Sequence, residues 1–130
     1  MDECTSTHCQ VLNEEQFIEL LKSSSRFDYF VFGVDMSNDA QAQHVCDVFQ
    51  TVPHGSDPDY SDCILELAKQ HSIQLIFPWS DAEALSLSRD KEKFKRNGVI
   101  VACNDYNTLL TVSNKAATYE KLEELGIRTP

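Results

Sequence analysis

Short runs of aromatic and β-branched residues alternate along this chain with longer amphipathic stretches that carry helix-capping signals. No other feature constrains the fold as strongly. A strand buried on both faces reads as almost unbroken apolarity. A helix between two such strands carries the chain back so that they lie parallel, with a right-handed crossover. The runs fall at 27–35, 48–52, 73–77 and 99–103. The first, Phe-Asp-Tyr-Phe-Val-Phe-Gly-Val-Asp, is dominated by residues that suit a pleated, half-buried surface.

The intervening stretches read as helices. Asn13 is placed to cap the first, with Gln16 at the reciprocal position and Phe17, Ile18, Leu20 and Leu21 as its apolar stripe. A short helix over 40–47 turns Ala42, Val45 and Cys46 inward. The next is the clearest: Asp57 as cap, Pro58 in the first turn where its missing amide costs nothing, then Tyr60, Cys63, Ile64, Leu67 and Ala68 on one face. Ser80 and Glu83 make a capping box for a helix running to Asn97, where Gly98 can take the left-handed cap. Two further helices are expected over 104–112 and 113–125, with Gly126 closing the second.

At 130 residues the chain suits one domain. The expected architecture is α/β: a Rossmann-like three-layer domain with a parallel sheet of about four to five strands and helices on both faces. It spans 13–130, preceded at 1–12 by a polar tail or a remnant of a first strand.

Charge narrows the partners. Acidic residues number 21 against 11 basic, a net charge of −10, which argues against nucleic acid because affinity for a polyanion comes largely from Lys and Arg. Arg89, Lys91, Lys93, Lys95 and Arg96 concentrate five of the basic residues, as a solvated helix face does. No apolar run approaches the ~18 residues of a membrane span. The acidic, polar start Met1-Asp2-Glu3-Cys4-Thr5 is neither a secretory signal nor a transit peptide. Five scattered cysteines, an odd number, point to a reducing compartment and a cytoplasmic location. Cys4, His8 and Cys9, with His44 and Cys46, lack the spacing of a zinc knuckle.

The chemistry expected of such a fold is largely missing. The four glycines, Gly33, Gly55, Gly98 and Gly126, form neither a dinucleotide fingerprint nor a P-loop. Asp35 ends a strand where an acid could hold a ribose, but without a glycine loop it reads as a turn residue bonding the Ser37-Asn38 backbone. Asp81 and Glu83 follow the carboxyl end of a strand, the edge where open α/β sheets bind ligands, and are the candidate substrate contacts, with Glu83 also serving as a cap. His44, His54 and His71 have no nucleophile arranged beside them. Lys115 opens the last helix, where a cation opposes the macrodipole and a phosphate would be welcome.

From residue 27 onward the sequence resembles the N-terminal domain of ATP-grasp ligases, particularly the carbamoyl-phosphate-synthetase-like and biotin-carboxylase-like members. The resemblance is carried by Phe32-Gly33-Val34-Asp35, by Val52-Pro53 with Ser56-Asp57-Pro58-Asp59-Tyr60, and by Ile76-Phe77-Pro78-Trp79-Ser80-Asp81. Ser113-Asn114-Lys115, Thr118-Tyr119, Leu122 and Gly126-Ile127-Arg128-Thr129-Pro130 complete it, in the family's order over about a hundred residues. It implies a parent enzyme that joins a carboxylate to an amine through an acyl-phosphate, using ATP and Mg2+ gripped by a downstream ATP-grasp domain. It also implies that Lys115 reaches an ATP phosphate.

Two departures shape the expectation. The family opens with a strand and a glycine-rich turn, for which Cys9-Gln10-Val11-Leu12 is the only candidate and has no glycine. The chain also stops at Thr129-Pro130, where the ATP-gripping lobes would begin. This chain alone is therefore expected to hold no cofactor and to catalyse no ligation. A non-catalytic interaction or dimerisation module, such as a homodimer paired through an open seam, is the alternative. A receiver-like signalling domain fits less well, because Asp35 and Asp81 match its acidic positions poorly.

Overall fold

A computed structural model describes residues 14–38 and 41–128. The Asn13 cap, the Cys4, His8 and Cys9 set, the candidate strand at 9–12 and the closing Thr129-Pro130 lie outside the described residues. The elements in order are α1 (Glu14–Lys22), β1 (Phe32–Asp35), a 3-10 turn (Gln41–Val45), β2 (Val48–Thr51), α2 (Tyr60–Gln70), β3 (Leu75–Ile76), α3 (Asp81–Arg89), α4 (Lys91–Arg96), β4 (Ile100–Val101), α5 (Tyr106–Ser113) and α6 (Lys115–Glu124).

The alternation of strand and helix is present and the pairings are parallel, but the sheet is not one of four to five strands. Among the described residues the strands form two separate two-stranded sheets, β1 with β2 and β3 with β4. Phe32 pairs with Val48 and Asp35 with Thr51; Leu75 pairs with Ile100 and Ile76 with Val101. The strands are shorter than their apolar runs for local reasons. The Val31 amide donates to the Asp47 carboxylate at 2.7 Å, so β1 starts only at Phe32. Pro78 has no amide to extend β3, and the Cys103 amide turns back onto the Val101 carbonyl at 2.9 Å, closing β4.

α2 supplies the centre of the core. Tyr60, Ile64, Leu65, Leu67 and Ala68 are buried there and meet Leu87 of α3, Phe94 of α4, Val52, Val99 and Val101. The expected face is correct, with Cys63 half-buried at its margin. The cap is not. α2 begins at Tyr60 after Asp59, and no side chain caps it. Asp57 instead accepts from the Asp59 amide at 2.8 Å, forming a turn before the helix.

The single helix expected to Asn97 is two helices. The break sits at Asp90, whose carbonyl takes both the Lys93 and Phe94 amides. Gly98, at φ 77°, and Gly126, at φ 72°, occupy the left-handed conformation expected of helix-ending glycines. Asn114 separates α5 from α6 and caps the latter by accepting from Ala117 N at 3.1 Å.

α1 touches both sheets. Its first half places Phe17 against Phe77 and Trp79, with ring centroids 5.1 and 5.4 Å away, just beyond the carboxyl end of β3. Its last residue, Lys22, donates to Asp47 at 2.8 Å, and Asp47 also holds the Val31 amide at the start of β1. α1 thus touches the end of β3 with its first half and the start of β1 with its last residue.

Candidate functional site

The segments that leave the carboxyl ends of the strands hold the polar groups. Beyond β1 lies Asp35, buried, with Oδ1 accepting from the Met36 amide at 2.6 Å. Beyond β2 the loop His54-Gly55-Ser56 folds on itself, His54 Nδ1 and Ser56 Oγ being 2.7 Å apart. Beyond β3, Ser80 and Glu83 form the predicted capping box in full. Glu83 Oε2 accepts from the Trp79 amide at 2.9 Å and the Ser80 amide at 3.2 Å, while Ser80 Oγ accepts from Glu83 N at 3.3 Å.

Tyr60 ties these segments together. Burial raises its phenol pKa far above the ordinary tyrosine range, and the charges of Glu83, Cys63 and Asp35 push in the same direction. Tyr60 thus stays a neutral phenol, a donor and not a base, with two carboxylates near enough to act on it. Periodicity puts Tyr60 on the apolar face of α2, and the family resemblance puts it in the loop before that helix; neither gives it a site role. Its signal was there all the same: a tyrosine on a buried stripe has a hydroxyl that requires polar company.

The predicted site residues do not form one cluster. Glu83 lines the inner cavity, and Asp81 is exposed two residues earlier on the same helix. Lys115 is exposed at the first position of α6, with Nζ 5.8 Å from the centroid of the Tyr119 ring. Among the described residues no hydrogen bond or ion pair joins Lys115 to Asp81 or Glu83. Asn114 already takes one of the amides that open α6.

The remaining reactive side chains have local partners. His44 Nε2 lies 2.8 Å from Glu15, and His71 stacks on Phe32 at 4.5 Å between centroids. Cys63 and Cys103 are free thiols. Burial pushes the Cys103 thiol up despite the opposing charge of Lys91, which suits packing better than nucleophilic attack. Among the described residues no group of His, Cys, Asp and Glu could hold a metal ion, and no helix is long and apolar enough to cross a membrane.

Between the two sheets lies a cavity of about 710 Å³, lined by β1, by residues 73–79, by Phe17, Ile18 and Leu21 of α1 and by the inner face of α2. Tyr60, Trp79 and Glu83 are among the residues that line it.

No curated protein matches this chain in sequence. Among solved structures, the biotin carboxylase domain of a thermophilic 2-oxoglutarate carboxylase bound to bicarbonate is similar to it, with a TM-score of 0.53 and 14% identity over 75% of this chain. The chain spans 23% of that structure's length, and at this identity the likeness concerns the fold. The family model of PylC-like N-terminal domains matches residues 8–102, most of the chain. By that match the chain belongs to the PylC-like N-terminal domain family and is a pre-ATP-grasp domain.

Proposed function

We propose that this chain is the substrate-side domain of an ATP-grasp ligase that joins a small carboxylate to an amine, or makes a similar C–N bond, through an acyl-phosphate. The observation that carries the reading is the family match over residues 8–102. The arrangement at the carboxyl ends of the strands supports it. Tyr60 as a neutral donor, with Glu83 and Asp81 on the adjoining turn, can contact a polar substrate from the sheet side.

ATP and Mg2+ are held, in this reading, by a downstream ATP-grasp domain of the same protein. Lys115 fits the phosphate role in one respect visible here: its ammonium is exposed and pairs with no carboxylate among the described residues. An ammonium aimed at developing phosphoryl charge stabilises transfer. The isolated chain is inactive in ligation.

Titration of the chain with Mg-ATP in a calorimeter tests the division of labour. No micromolar binding is expected, and micromolar affinity would refute it. In the complete enzyme, Lys115→Ala should raise KM for ATP while leaving the affinity for the carboxylate unchanged; an unchanged KM for ATP removes Lys115 from the phosphate site.

Among the described residues no further strand pairs with either two-stranded sheet, which favours one second reading, a non-catalytic module that pairs with another copy of itself. Light scattering decides it: a monomer at all concentrations excludes the homodimer.

A further inference from the structure

We draw no further inference here: the strongest candidate, the exposed apolar surface that Leu110 and Val112 on α5 and Leu125 and Ile127 at the end of α6 present, carries none because nothing among the described residues shows what covers it.

Discussion

A side chain on Gly55 would begin against the backbone of Glu83: a Cβ built there lies 2.7 Å from the Glu83 nitrogen and 3.0 Å from the Ala82 carbonyl carbon. The loop after β2 is thereby seated on the first turn of α3, beside the carboxylate that caps it. This contact joins the two strand-end segments that carry the candidate site.

Gly55→Ala should therefore destabilise the domain. The atoms met are backbone, which cannot swing aside, and overpacking of this kind costs about 1–3 kcal/mol. Chemical denaturation should show a lower midpoint with an unchanged slope. Gly98→Ala is the contrast. A Cβ there meets nothing within 4 Å, so its cost comes only from φ at 77°, about 1–2 kcal/mol for an L residue held in the left-handed region.

The capping box at the start of α3 makes separate, testable contributions. Ser80→Ala removes the acceptor for Glu83 N and should cost about 1 kcal/mol in urea unfolding. Glu83→Gln keeps an acceptor for the Trp79 and Ser80 amides but removes a charge that raises the phenol pKa of Tyr60. Its stability in urea unfolding should stay close to that of the unaltered chain. A loss as large as that of Ser80→Ala would show that the charge of Glu83, and not only its acceptor oxygen, holds the box.

Leu87 and Phe94 are both fully buried, where α3 and α4 meet α2 and β4. Phe94→Ala should cost about 3–5 kcal/mol and Leu87→Ala about 2–5 kcal/mol, because each leaves a cavity that rigid neighbours cannot fill. Calorimetry should show both losses to be much larger than that for Lys95→Ala, an exposed position on α4.

The helices were the legible part of the sequence, because their signals are local. The stripe of α2, the Ser80–Glu83 box and the glycines at 98 and 126 each depend on residues a few positions apart. The cap of α2 was misplaced by two residues because Asp57 serves equally well as a turn former. The break at Asp90 could not be read, since the basic run 91–96 is as good a continuation as a fresh start. The extent of the sheet depends on pairing between distant segments, and on competitors such as the Asp47 carboxylate for the Val31 amide. No local pattern shows these. The same holds for the site: Asp81 and Glu83 could be placed at a strand end, but the approach of Asp35 and Glu83 to Tyr60 is purely tertiary.

Asp47 offers the clearest acid dependence. Its carboxylate accepts from Lys22 Nζ at 2.8 Å and from the Val31 amide at 2.7 Å. The Lys22 hydrogen bond, then the Val31 amide, hold its pKa below the usual carboxylate value of 3.8. A lowered folded pKa means that the folded state favours the ionised group. Its contribution is present in full above the unfolded pKa and disappears as the pH falls through the folded value. Asp47→Asn keeps an acceptor for Val31 but abolishes the charge. Melting followed by circular dichroism should therefore show the variant less stable at pH 7, with the difference from the unaltered chain shrinking toward zero below pH 3. Because the Lys22 pair is partly exposed, added salt should also narrow the gap at pH 7. Lys22→Met should lose part of the same pH dependence and keep the part due to Val31. A difference between the two chains that stays constant from pH 7 to pH 2 would show that the clip between α1 and the start of β1 does not depend on the Asp47 charge.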